Sequence, residues 1–294
     1  MEKSILRATV FSQEQIANQI YSMWLQADAI AAAAVPGQFV SVYCNDSGRM
    51  LPRPISICET DQQGGRIRLV YRVAGKGTAE FAGYQAGDTL DVLGPLGNGF
   101  PLERCPAGRT AFLIGGGIGI PPMVELSKRL EGQVQVIAGY RDELFLTDEL
   151  AANGALYLSV ESGDLFQALS ADAGSGAGAF PLKESVPEQQ GVVGTCASVR
   201  GITKGNVLDC IRENQLQADV IYACGPTPML RAVKAYAQEK GIECYLSLEQ
   251  RMACGIGACL ACVCESTEKD AHSQVNNKRI CKEGPVFAAG EVSL

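Results

Sequence analysis

The chain has 294 residues, 47% of them hydrophobic, 33 glycines, twelve cysteines and a net charge of −7. That length and hydrophobic content allow two globular domains with a small appendage, and the negative charge argues against nucleic acid or an anionic membrane as the main partner. The longest apolar run, Ala111–Val124, is glycine-broken and too short to cross a bilayer, and no signal-peptide pattern opens the sequence.

Cysteine-rich chains without a secretory signal fit a reducing compartment, so a cytoplasmic protein is expected. The single histidine, His272, lies in a polar segment, which speaks against Ser-His-Asp hydrolysis and histidine-based metal chemistry.

Up to Asp91 the signals are short β-rich runs: Leu6–Phe11, Ile20–Leu25, Gln38–Tyr43, Arg66–Val73 and Thr89–Leu93. Turn residues separate them at Pro36-Gly37, Gly64-Gly65 and Gly87-Asp88, the spacing of a closed barrel or sandwich. One helix is expected, over Gly77–Tyr84. Within this part Arg53-Pro54-Ile55-Ser56 places an arginine between prolines, where its guanidinium can grip a phosphate and Ser56 can face a flavin ring. An ordinary arginine in a proline-stiffened turn is the plain alternative. Val70-Tyr71-Arg72 then precedes Gly77-Thr78, a glycine-flanked helix start suited to a pyrophosphate, with Tyr71 able to pack on flavin or adenine. Gly94–Phe100 reads as a rigid turn closing the domain.

Strand and helix alternate next. The expected strands are Thr110–Ile114, Val134–Gly139, Leu156–Val160, Val192–Gly194 and Asp219–Cys224. Helices are expected from Pro121-Pro122 to about Glu131, over Asp142–Asn153, Lys204–Glu213 and Pro226–Lys240. This succession predicts a parallel sheet covered on both faces. A stretch poor in large apolar groups, between Ser170 and Gln190, is expected to be a flexible loop. After the first strand come Gly115, Gly116, Gly117 and Gly119; the strict G-x-G-x-x-G pattern is not met, yet bare backbone stands where a dinucleotide pyrophosphate would sit. A close-packed β–α turn is the alternative. Cys224-Gly225-Pro226 lies at another strand end, where Gly225 admits a nicotinamide and Cys224 can lie against its ring. No Arg/Ser cluster suited to a 2′-phosphate is evident beyond Arg141, which favours NAD over NADP.

Near the C-terminus Cys254, Cys259 and Cys262 form a C-x4-C-x2-C pattern, with Cys264 as a spare and Cys281 as a fourth candidate ligand. This is the plant-type spacing for a 2Fe–2S cluster. Gly255 and Gly257 give the loop its freedom to curl around the irons and aim N–H groups at the sulfurs. Zinc also uses four thiolates, but its sites usually carry two C-x2-C knuckles and only one is present.

R-P-x-S, then Y-R-V, G-T, G-G-G-x-G and C-G-P-x-x-M resemble the ferredoxin–NADP reductase superfamily across the whole chain. The tail, from Arg251 through the cysteines to Gly290-Glu291-Val292, looks like the electron-transfer subunit of NAD-dependent (type B) dihydroorotate dehydrogenase. The resemblance implies an FAD-binding β-barrel (1–104), an α/β parallel-sheet NAD domain (105–246) and a 2Fe–2S subdomain (247–294). It assigns Arg53–Ser56, Val70–Arg72, Gly77 and Thr78 to FAD and Cys254, Cys259, Cys262 and Cys281 to the cluster. Its implied partner is an FMN-containing catalytic subunit in a heterotetramer of two of each, with no nucleic acid and no membrane involved. Electrons would pass from FMN through the cluster to FAD and then to NAD+, in pyrimidine biosynthesis. The Cys262–Cys281 separation is longer than the family's, and alanine-rich Ala29–Ala34 is expected to be a loop variant. Alternatives are the small subunit of a sulfide dehydrogenase or of a ferredoxin-dependent transhydrogenase, and a zinc-stabilised binding module without redox chemistry.

Overall fold

The computed structural model describes residues 4–174, 199–269 and 274–294. The strand expected at 192–194, most of the 170–190 loop and His272 lie outside the described residues. Six antiparallel strands close a barrel in the order β1-β2-β5-β4-β3-β6: β1 (Ser4–Ala17), β2 (Ile20–Gln26), β3 (Phe39–Val42), β4 (Arg53–Asp61), β5 (Arg66–Arg72) and β6 (Thr89–Leu96). Alternation fills it, since side chains of period two face one side of a strand. Val40, Val42, Ile55, Ile57, Ile67, Leu69, Leu90 and Val92 share the interior core.

Two expectations change here. Ala29–Ala34 is not a loop: helix α1 (Asp28–Ala33) buries Ile30 and Ala31 in the barrel core, and alanine is the strongest helix former. Arg53 opens β4 rather than sitting in a turn, and β6 runs on through Leu96 into what reads as a turn in the sequence. Helix α2 (Lys76–Phe81) is the helix expected over 77–84, slightly shorter.

The second body is a seven-stranded sheet. Its strands are β7 (Thr110–Gly116), β8 (Gln133–Tyr140), β9 (Ala155–Val160), β10 (Val199–Lys204), β11 (Val220–Cys224), β12 (Glu243–Ser247) and β15 (Val286–Ala288), in the order β10-β9-β8-β7-β11-β12-β15. All neighbours are parallel except β12 and β15. Ala111 and Leu113 face one core with residues of α3 (Pro122–Arg129) and α4 (Thr147–Ala151); Phe112 and Ile114 face the other with α6 (Val207–Glu213) and α7 (Thr227–Lys240). The sheet is thus covered on both sides, as its apolar strands require.

Helix α4 is much shorter than the expected Asp142–Asn153. Phe145 is pinned to Tyr140 by an edge-on ring contact at 5.4 Å and by the Tyr140 hydroxyl donating to its carbonyl at 2.7 Å, and Leu146 turns left-handed (φ 58°) before the helix starts. Unexpected are α5 (Gly163–Gly174), which takes in the start of the supposed loop, and strands β10 and β12. A two-stranded sheet, β13 (Val263–Glu265) with β14 (Asn277–Arg279), carries the last region. Among the described residues no helix is long and apolar enough to cross a membrane.

Candidate functional site

The cysteine region is bound to both other bodies. Asn98, just past the barrel's last strand, donates its N–H to Gly284 O at 2.7 Å and its Nδ2 to Val286 O at 2.9 Å, while its Oδ1 accepts from Val286 N at 3.1 Å. Phe39, Leu93 and Leu96 share a core with Cys262, Ile280 and Cys281. The chain after Cys281 then returns to the large sheet as β15.

Within this frame Gly255 (φ 68°) and Gly257 (φ 86°) take the left-handed conformation that curls the loop, as expected of them. The curl turns the N–H groups of Ala258 and Cys259 onto Cys254 Sγ at 3.3 and 3.4 Å. Cys281 N–H points at Cys262 Sγ at 3.4 Å, and Ile280 N–H donates to Cys262 O at 3.0 Å. These contacts link the cysteines as two pairs, Cys254 with Cys259 and Cys262 with Cys281. Among the described residues no three Cys, His, Asp or Glu side chains are gathered around a single-ion position. Two pairs are the donor set for a two-iron cluster with two thiolates on each iron. Their ionisation differs between the pairs. Burial works to raise Cys254, but the N–H groups of Ile256 and Cys259, the Cys259 side chain and the Ala258 N–H outweigh it and bring the thiol down to about 6. Cys281 goes the other way, to about 12, through burial and the adjoining Cys262. Cys259 is exposed and Cys262 and Cys281 are buried, so the site opens on one side only. Cys264, in β13, is half-buried, and burial raises its thiol.

On the barrel, Pro54 and Ser56 alternate with inward-facing Ile55 and Ile57, so they share the outer face with Phe39 and Ser41 of the neighbouring strand. Arg53 lies across Gly77: a Cβ built there would fall 2.4 Å from its Cζ, so only glycine lets the guanidinium rest on the first turn of α2. Thr78 Oγ1 accepts from Ala74 N at 2.9 Å and fixes that turn. A guanidinium against unpaired helix-start N–H groups suits a phosphate. Val70 packs outward into the core shared with the α/β body and Arg72 is exposed. The Tyr71 ring is turned away from that outer face, not toward it as a ring packed on flavin or adenine would be. It points into the barrel, stacks on Tyr21 at 6.0 Å, meets Phe81 edge-on and donates its hydroxyl to Gln13 at 2.9 Å.

The two glycine motifs of the sheet meet. β7 and β11 are parallel neighbours, and Gly115 lies in register with Cys224. Here the strand order reverses, the crevice where open α/β sheets take their ligands. A Cβ on Gly119 would fall 2.3 Å from Cys224 O and 2.6 Å from Gly225 N. A Cβ on Gly116 would meet Met229 Sδ at 2.5 Å and Pro226 Cδ at 3.2 Å. Gly117, by contrast, faces open space. Cys224 itself is 1% exposed, and burial, reinforced by the charge of Glu249, holds its thiol protonated.

Residues that the sequence did not single out complete the cysteine site: Asn98, and the pair Arg279 and Glu283 on either side of Cys281. Their i, i+4 spacing of opposite charges around the fourth cysteine was the available signal.

Two family models match the chain. Residues 249–293 match the iron-sulfur cluster binding domain of dihydroorotate dehydrogenase B, and residues 7–100 match the oxidoreductase FAD-binding domain. The electron transfer subunit of dihydroorotate dehydrogenase B (NAD(+)) from Bacillus caldolyticus is 41% identical over 294 residues, covering 98% of each chain. Its counterpart from Listeria monocytogenes serotype 4a is 39% identical over 290 residues and covers 97% of each. Among solved structures, the NADH-dependent reduced ferredoxin–NADP oxidoreductase superposes with a TM-score of 0.75 at 25% identity, over 97% of this chain and 89% of that one. A ferredoxin NADP+ reductase from Neisseria gonorrhoeae, with bound FAD and NADP, gives 0.57 at 15% identity over 84% and 94%, a likeness of fold alone.

Proposed function

Because the chain belongs to the family of electron-transfer subunits of NAD+-dependent dihydroorotate dehydrogenase B, we propose that it passes electrons from the FMN of a catalytic partner through a 2Fe–2S cluster and FAD to NAD+. This is the NAD-linked step of pyrimidine biosynthesis, with dihydroorotate oxidised on the partner. The observation that carries the reading is the placement of paired thiols against the outer wall of the FAD-type barrel, where Cys262 and Cys281 share a core with Phe39 and Leu96. When bound, nicotinamide exchanges hydride, the cluster exchanges single electrons, and the flavin can do both.

This chain's residues divide the work. Cys254, Cys259, Cys262 and Cys281 hold the cluster, and the N–H groups turned onto Cys254 stabilise its negative charge. Arg53, with the backbone of Gly77 and Thr78, would hold the FAD pyrophosphate, and Pro54, Ile55, Ser56, Val70, Arg72 and the backbone of Tyr71 would supply the rest of the FAD site. Gly115, Gly116, Gly117 and Gly119 would receive the NAD pyrophosphate, Gly225 and Pro226 would admit the nicotinamide, and Cys224 would offer it a neutral, buried neighbour. This reading keeps the division into domains 1–104, 105–246 and 247–294, with β15 of the last segment lent to the sheet of the second. We further assign the protein to the cytoplasm, in a heterotetramer of two subunits of each kind.

The purified chain should show flavin and iron–sulfur bands in its visible spectrum; their absence would sink the redox reading and leave the zinc module. Co-expressed with the FMN subunit, it should sustain dihydroorotate-driven NAD+ reduction at a two-plus-two mass. Failure of that coupling, with cofactors present, would move the assignment to a transhydrogenase-type subunit, the second reading favoured by the 0.75 superposition.

A further inference from the structure

Arg279 stands between the two cysteine-bearing segments. It ends β14, two residues before Cys281, and its Nη1 donates to the carbonyl of Gly257 at 2.9 Å. That carbonyl belongs to the same peptide group as the N–H of Ala258, which points at Cys254 Sγ from 3.3 Å. A donor on the carbonyl side of a peptide group polarises it and strengthens the N–H on the other side, and a charged donor does so more than a neutral one. The cation is itself opposed. Glu283 accepts from Arg279 Nε at 3.0 and 3.1 Å, from its Nη2, and from its backbone N–H at 2.7 Å. The Glu283 N–H in turn donates to Arg279 O at 2.8 Å, closing the turn that carries Cys281.

On the reading that these cysteines hold a 2Fe–2S cluster, we propose that Arg279 is a positioning residue that sets the cluster's reduction potential. Its guanidinium polarises the Gly257–Ala258 peptide toward Cys254, and Glu283 limits how much of that positive charge is felt. Reduction adds one negative charge, and both a stronger N–H donor and a nearby cation favour the more negative state. Arg279 therefore holds the potential up and Glu283 holds it down. A purely structural staple joining the two segments would give no such opposition of sign.

EPR-monitored redox titration of the full chain carrying its cluster separates these roles. Arg279→Gln should make the cluster harder to reduce, by about tenfold in the reduction equilibrium, or about 59 mV for one electron. Glu283→Gln should make it easier to reduce, and Arg279→Lys, which keeps the charge, should stay close to wild type. Shifts of the same sign in Arg279→Gln and Glu283→Gln, or no shift in either, overturn the proposal. Loss of the cluster from both also overturns it, because the pair is then a staple. If only Arg279→Gln loses the cluster, Glu283→Gln decides: a raised potential supports the role, and an unchanged or lowered one overturns it. A wild-type chain that shows no cluster signal overturns both the proposal and the reading beneath it, whereas a signal with unmoved potentials overturns the proposal alone.

Discussion

Gly119 touches backbone, and backbone cannot step aside as a flexible side chain can. The site its Cβ would occupy lies 2.3 Å from Cys224 O and 2.5 Å from Cys224 C, so Gly119→Ala must push the β7 loop away from the β11 loop. Displacing a cofactor by about 1 Å can cost on the order of a hundredfold in rate. We expect kcat/KM for NADH with an artificial acceptor to fall at least tenfold in Gly119→Ala, while bound flavin per chain stays unchanged. Gly117 has open space around it but a left-handed backbone (φ 53°), so Gly117→Ala should show strain of roughly 1–2 kcal/mol rather than a displaced loop.

Glu80 gives a second prediction at this scale. Burial opposes its charge, but the Tyr84 hydroxyl at 2.7 Å, the N–H groups of Asn45 and Asp46, and Arg49 hold its carboxyl below the usual range. A carboxyl lowered by folding adds stability that is fully present above its unfolded pKa and is lost as pH falls through the folded one. Glu80→Gln should thus lie about 1–2 kcal/mol below wild type at neutral pH. The gap should close as pH drops below the ordinary carboxylate range, as read from urea midpoints at several pH values. A gap independent of pH would remove the ionic argument. At the residue scale the iron–sulfur region was the most legible part of the sequence, because the cysteine spacing is itself the chemistry, and residues 249–293 match a cluster-binding family model. Tyr71 was not legible: its neighbours Val70 and Arg72 fit the motif, but strand register decides inside from outside, and register is a long-range property.

Elements come next. Helix α3 joins the two large bodies through Glu125, which is 4% exposed and accepts from Thr60 N at 3.1 Å and Thr60 Oγ1 at 2.8 Å on β4. Lys128, one turn on, pairs with Glu59, and Arg68 reaches Glu149 of α4 at 2.8 Å. Glu125→Ala leaves the Thr60 donors unpaired at a covered junction, a loss of about 2 kcal/mol. We expect calorimetry to show the melting temperature lowered by roughly 4–8 °C, with Glu125→Gln, which keeps an acceptor, affected less. An equal loss in both would place the effect in the charge rather than in the hydrogen bonds to Thr60. Elements with strong periodicity or glycine and proline borders were readable from sequence. Those that escaped had tertiary causes. β10 follows a long low-apolar stretch, β12 is a short edge-side strand paired by β15 from much later in the chain, and α4 is cut short by the Tyr140–Phe145 contact. The alanine run was misjudged for a different reason: propensity alone favoured a helix there, and the barrel end gave it a place to bury Ile30.

As a whole the molecule places its cysteine site against the barrel wall on one side and leaves it open on the other. Cys259 is exposed, and the apolar side chains beside it, Ile256 at 46% and Leu260 at 58%, are exposed as well. Leu260 also holds a left-handed backbone (φ 59°), an uncommon conformation for a leucine, which the curl of the loop imposes. Exposed leucine and isoleucine around a one-electron site suit a contact that must exclude water and bring a second redox chain close, as the proposed partner requires. Among the described residues neither side chain enters a core, so Leu260→Glu should leave folding, cofactor content and NADH-dependent reduction of ferricyanide within about twofold of wild type, as surface changes generally do. Placed in an interface, the same carboxylate would have to be buried without a partner. Dihydroorotate-driven NAD+ reduction with the FMN subunit should therefore fall at least tenfold, and the two chains should elute separately at micromolar concentration. Cys259→Ser supplies the complement: it should stop transfer between the chains while NADH still reduces the flavin. If Leu260→Glu couples normally and Cys259→Ser does not, the cluster is the outlet but this apolar rim is not the docking face; loss of flavin reduction in both would instead give the loop a folding role.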